Sequence, residues 1–205
     1  MLVAGVFVGL SAQDDQRIDA LSFGRCDAEA LHAHFADANE QQSGPIDQLY
    51  LLTDEAATAS DVRAAIKSAV ATARAGGAQV VIVHFSCHGS LNGDLVLFDA
   101  DRDDVAGSCI PVREVIEELA QLDSAAAVLT LDCCFAGTAL GMQGSANRDA
   151  FDGLMKQMTG DGRFVVWAAS PNQKAYEDTA LAHGYLSHAL DRKSTRLNSS
   201  HPYRS

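Results

Sequence analysis

Five short apolar runs, most of them rich in β-branched residues, recur along this chain, and stretches with apolar residues at helical spacing lie between them. The runs are 2–10, Gln48–Leu52, Val80–Phe85, Ala127–Leu131 and Phe164–Ala168. A strand that is apolar on both sides has to be covered on both sides, which calls for a mostly parallel sheet with helices on each face. The expected fold is therefore α/β and three-layered. A first helix is expected over about 27–39, with Leu31 and Phe35 on one face and Asp27 and Glu29 in its first turn. Thr58 and Asp61 form a T-x-x-D capping signal for a second helix, which carries Val62, Ile66 and Val70 and stops at Gly76-Gly77. Pro111 opens a third, with Val112, Val115, Ile116 and Leu119 at helical spacing. Residues 138–162, rich in Gly, Met and polar side chains, read as a long loop with at most one short helix.

Composition narrows the functional classes. A length of 205 residues suffices for one domain with a sizeable core. Hydrophobic residues make up 47% and charged residues 20%, which excludes a disordered chain. The net charge of −12 argues against nucleic-acid binding, which needs a basic surface. No apolar run reaches the ~18 residues of a membrane span, and the run 2–10 lacks the basic flank of a signal peptide. Five Cys without a secretory signal fit reduced thiols in the cytoplasm better than a disulfide framework. Residues 191–201, D-R-K-S-T-R-L-N-S-S-H, resemble a translated sequencing adapter. The expected division is one domain over 1–190, lacking its C-terminal end, and a non-native tail over 191–205. Without that tail Lys plus Arg falls from 15 to 11 and Asp plus Glu from 27 to 26, so the domain is near −15.

The chemistry gathers at two expected strand ends. Val80–Phe85 runs into Ser86-Cys87-His88-Gly89, and Ala127–Leu131 runs into Asp132-Cys133-Cys134-Phe135-Ala136-Gly137. Ligands of open parallel sheets bind beyond the carboxyl ends of the strands. Neighbouring strands lie ~5 Å apart, so a His at one tip and a Cys at the next would face one cleft. That is what a thiol nucleophile needs: the imidazole takes the thiol proton, and the thiolate attacks a carbonyl carbon. Backbone N–H groups of Gly89 and Cys134 are candidates to hold the developing oxyanion. Side chains alternate across a strand, so Cys133 and Cys134 cannot both face the cleft.

These motifs, in this order, resemble the caspase-like peptidases, the clan of caspases, metacaspases and paracaspases, and most nearly bacterial caspase-family and metacaspase-like domains. The likeness spans most of 2–190. It includes Val8-Gly9, Asp27-Ala28, Leu51-Leu52-Thr53-Asp54, F-S-C-H-G, L-D-C-C-F-A-G, W-A-A-S from Trp167 to Ser170, and His183-Gly184-Tyr185-Leu186-Ser187. Cys87 stands where the family has Gly, and Phe135-Ala136 where His-Ser is common. The resemblance implies a caspase-like sheet whose last strand and helix are missing, and a cysteine endopeptidase with peptide or protein substrates. It implies His88 as base, Cys134 as nucleophile, Asp27 and Asp132 as acids lining the specificity pocket, and Ser170 at the substrate groove. It implies no cofactor, although some metacaspases need calcium. It also leaves room for appended domains in a longer parent.

Two carboxylates in one partly desolvated pocket favour a cation, Arg first and Lys next. The competing expectation is selection of Asp by Arg25. Asp27 also has a plain reading as a helix N-cap, and Asp132 as a local backbone acceptor. His183-Gly184 repeats the H-G pair without a second Cys motif and is given no role. Zinc is disfavoured because adjacent cysteines on a strand diverge. Asp99–Asp104 begins like a calcium loop but has Asp104 at the sixth position and Ile110 at the twelfth, which excludes an EF-hand. The rival functions are a catalytically silent caspase-like scaffold and a doubly wound binding domain. The second lacks a Gly-rich phosphate loop after the first strand.

Overall fold

The computed structural model describes residues 1–42, 44, 48–90, 94–133, 162–168 and 177–190. In chain order the elements are β1 (Val3–Gly9), α1 (Gly24–Glu40), β2 (Leu49–Thr53), α2 (Ala59–Arg74), β3 (Val80–Ser86), β4 (His88–Gly89), β5 (Asp94–Val96), α3 (Val105–Ser108), β6 (Ile110–Pro111), α4 (Val112–Leu119), β7 (Ala126–Asp132), β8 (Arg163–Trp167), β9 (Glu177–Asp178) and β10 (His183–Gly184). The five long strands form one sheet in the order β2-β1-β3-β7-β8, and every adjacent pair is parallel. All seven residues of β1 and of β3 are buried, as continuous apolar strands require.

The sheet has two chemically different faces. One carries Ala4, Val6, Val8, Val81, Val83, Phe85, Ala127, Leu129 and Leu131, which form the main core with α2 and α4. The other carries Val3, Phe7, Val80 and Ile82 under Ala28 and Leu31 of α1. On this second face the strands turn polar toward their carboxyl ends: Ile82 gives way to His84 and Ser86 on β3, and Val128 to Thr130 and Asp132 on β7. His84 is wholly buried, its Nδ1 is 2.8 Å from Thr130 Oγ1, and burial pushes its pKa down to about 3. The T-x-x-D signal is realised: Thr58 Oγ1 accepts from Asp61 N, and α2 ends at Arg74, before Gly76 at φ +81°.

Three features differ from the sequence reading. The first helix begins at Gly24 rather than 27, so Asp27 lies inside its first turn and is not the N-cap. Its N-cap is Phe23, which makes no side-chain capping bond, and the residues just before the helix are held from far along the chain, where Glu177 accepts from Ser22 N at 3.0 Å and Phe23 N at 2.8 Å. Short strands β4, β5 and β6 form a second, antiparallel sheet, and β9 pairs with β10. Residues 138–161 and the tail 191–205 lie outside the described residues.

Candidate active site

The strand that leads toward His88 and the strand that ends at Asp132 are neighbours. β3 and β7 pair in register over seven residues, from Val80 opposite Ala126 to Ser86 opposite Asp132. His88 follows β3 by two residues, and β7 ends at Asp132, so both strands reach the same carboxyl end of the sheet. His88 is half-buried, and its Nε2 lies 2.5 Å from the carbonyl oxygen of Asp19. A carbonyl only accepts, so Nε2 carries the proton, and in the neutral ring the lone pair sits on Nδ1. The backbone of Asp19 therefore fixes both the tautomer and the orientation of this imidazole. Cys134 and Ser170 lie outside the described residues.

Asp27 and Asp132 meet beside these tips. Close contact makes this possible: Gly9 and Gly24 lack the Cβ that would strike the α1 backbone and the carbonyls of Leu10 and Ser86. The first turn of α1 thus presses onto the ends of β1 and β3. Asp27 is 1% exposed, and it accepts from Ser86 Oγ at 2.9 Å, His183 Nδ1 at 2.7 Å and the Gly184 amide. Asp132 is 6% exposed, and its Oδ2 accepts from Ser187 N at 3.0 Å and Ser187 Oγ at 2.7 Å. The two carboxylates face each other across Gly184, where a Cβ would stand 2.5 Å from Asp132 Oδ2 and 3.1 Å from Asp27 Oδ2. Burial raises the pKa of both acids above the usual range, against the lowering effect of these hydrogen bonds. The negative charge of Asp132 raises Asp27 further, and that of Glu177 raises Asp132. The two acids thus form a buried pair, separated by Gly184, at the carboxyl ends of β3 and β7.

The caspase domain family matches residues 19–204. The chain belongs to that family. Among solved structures this caspase domain is similar to caspase-1 from Spodoptera frugiperda, with a TM-score of 0.60 and 10% identity over 97% of this chain and 71% of that one. At that identity the likeness is one of fold. Raptor from Chaetomium thermophilum is matched at a TM-score of 0.43 and 13% identity, over 85% of this chain and 16% of that one. No curated protein matches the chain in sequence.

Within the caspase domain, the other candidate side chains lie away from the acid pair. Arg25 does not face it: its guanidinium bonds Glu29 at 2.7 Å and reaches Asp54 at 3.4 Å on the outer side of α1. Cys133 is buried in the main core, on the opposite face from Asp132. Cys109 is buried too, which pushes its thiol up to about 11. Cys26, Cys87, Cys109 and Cys133 form no disulfide among themselves. The acidic loop is exposed over residues 101–104, and ion pairs and a backbone contact tie it down. Arg17 reaches Asp15 and Asp103 at 2.7 Å and Asp101 at 3.4 Å, while Asp99 accepts from Ala59 N at the start of α2. Among the described residues no group of three His, Cys, Asp or Glu side chains is placed to hold a metal ion. Nor is any described helix long and apolar enough to cross a membrane.

Sequence reasoning missed Asp19, Ser86, His183, Gly184 and Ser187. Asp19 acts through a backbone carbonyl, which no side-chain pattern reveals. Ser86 was visible as the residue before Cys87-His88, two before the His, on the face that carries Asp132. The H-G-Y-L-S run was the available signal for the other three, and its pairing with Asp27 and Asp132 explains the repeated H-G.

Proposed function

We propose that this caspase domain is a cysteine endopeptidase of the metacaspase type that cleaves after Arg or Lys. The observation that carries the reading is His88, locked by the Asp19 carbonyl at the tip of β3, beside the strand that leads through Asp132 into Cys134. In this mechanism His88 Nδ1 takes the thiol proton, and Cys134 Sγ attacks the scissile carbonyl carbon. The Gly89 and Cys134 amides hold the oxyanion. The tetrahedral intermediate collapses with cleavage of the C–N bond, and the amine leaves with the proton returned by His88. Water activated by the same imidazole then hydrolyses the thioester and frees the thiol.

Specificity follows from the acid pair. Asp27 and Asp132 supply negative charge in a nearly dry setting, where a guanidinium or ammonium is favoured and a carboxylate is repelled. Arg25, the residue that would select Asp, is committed to Glu29 and Asp54. Ser170 borders the groove in this reading. The partners are peptides or proteins rather than nucleic acid or membrane, and the compartment is the reducing cytoplasm, where Cys134 stays a thiol. The test is a panel of fluorogenic peptides differing only in the residue before the scissile bond. Cleavage after Arg or Lys that weakens in Asp132→Ala supports the proposal. Cleavage only after Asp, lost in Arg25→Ala, overturns the specificity. Absence of cleavage together with absence of Cys134 labelling by a peptide electrophile makes the domain a silent scaffold.

A further inference from the structure

Asp132 is held by one of its two oxygens. Ser187 donates twice to Oδ2, from its backbone N–H at 3.0 Å and its hydroxyl at 2.7 Å, and no described residue donates to Oδ1. Asp27 is different, since both of its oxygens are engaged by Ser86, His183 and Gly184. Ser187 itself is 2% exposed, so it has no surface role. It begins no strand and caps no described helix; it lies within the helical residues 185–190, and its hydroxyl goes to Asp132. Two donors on one oxygen fix the rotation of a carboxylate about its Cβ–Cγ bond. They leave the other oxygen without a donor among the described residues, open to a contact from a cation.

We propose that Ser187 is a positioning residue for specificity, which clamps Asp132 through Oδ2 and so presents Oδ1 to the cationic side chain before the scissile bond. This rests on the reading of Asp132 as the acid that receives that side chain. Without the hydroxyl, the carboxylate keeps one donor and can swing about its terminal torsion, which is broad when nothing restrains it. The effect falls on binding of the cation and not on the bond-breaking step.

The experiment measures binding of arginine amide by calorimetry to the full chain carrying Cys134→Ala, so that no turnover is needed. Ser187→Ala is expected to weaken binding about tenfold, the scale of one lost bond to a charged group. Ser187→Thr, which keeps the hydroxyl, is expected to bind within about twofold of the parent. In the active chain, Ser187→Ala is expected to raise KM for an Arg peptide by the same factor while kcat stays level. If Ser187→Ala melts far below the parent, Ser187→Cys, similar in volume and a weaker donor, carries the same expectation. Unchanged affinity in Ser187→Ala, or equal weakening in Ser187→Thr, overturns the clamp while an Asp132-dependent arginine site survives. Failure of the parent chain to bind arginine amide overturns the clamp and the pocket together.

Discussion

Replacing Gly184 by alanine places a methyl group between two buried carboxylates, 2.5 Å from Asp132 Oδ2 and 3.1 Å from Asp27 Oδ2. The first distance is far inside van der Waals contact, so something has to move. Asp132 resists, because it is 6% exposed and both Ser187 donors converge on the oxygen that is struck. Shifting it breaks at least one hydrogen bond to a buried carboxylate, ~1.5–3 kcal/mol. Overpacking adds ~1–3 kcal/mol. The expected destabilisation is about 3–5 kcal/mol, which at ~2–4 °C per kcal/mol for a domain of this size lowers Tm by roughly 10 °C. Scanning calorimetry of the wild type, Gly184→Ala and Tyr185→Phe measures it. Tyr185 is 54% exposed and, among the described residues, its hydroxyl bonds Asp178 at the surface, so that control is expected to stay within ~0.5 kcal/mol of the wild type. A Tm for Gly184→Ala within about 2 °C of the wild type would refute the account of the acid pair.

Three further outcomes are expected. Glu177→Gln leaves one acceptor oxygen for the two amides at Ser22 and Phe23, and should cost ~1–2 kcal/mol in urea unfolding; an unchanged midpoint contradicts a stabilising role for this tether. Thr58→Ala removes the N-cap of α2 and should cost ~1 kcal/mol by the same assay, with no loss signalling that the cap is idle. The third concerns pH. Burial raises Asp132 above the usual carboxylate range, so KM for an Arg peptide should climb as pH falls through that raised value, and a KM flat down to pH ~4 contradicts the site. Stability runs the other way: an acid with a higher pKa folded than unfolded favours the native state when protonated, so its cost is present at neutral pH and fades as pH falls. The Tm of the wild type relative to Asp132→Asn should therefore rise on acidification.

Much of the fold was legible because its strands are buried on both faces. Val80–Phe85 and Ala127–Leu131 had no polar side to hide, and a parallel sheet is the arrangement that covers such strands. Their adjacency, which sets Ser86 opposite Asp132, then followed the expected order of motifs. Boundaries and partners at a distance were less legible. Gly24-Arg25-Cys26 carries no helix-start signal, and the residues just before that turn are held by Glu177, more than 150 residues away. Strands of two or three residues, such as His88–Gly89, are too short to show a period. His183 and Ser187 could not be assigned from their run alone, because their role consists in bonds to Asp27 and Asp132 and only the fold brings these together.

The central claim is that one thiol, Cys134, is activated by one imidazole, His88. Alkylation by a peptidyl chloromethyl ketone ending in Arg, mapped by mass spectrometry, tests it most directly. The account predicts modification of Cys134 in the wild type and in Cys133→Ala, since Cys133 is buried in the opposite core. It predicts loss of labelling in His88→Ala with the fold intact by circular dichroism. Cleavage of the matching substrate should fall by up to ~10⁶ in Cys134→Ala. Labelling of Cys134 that persists undiminished in His88→Ala, or that lands on Cys133, would contradict it.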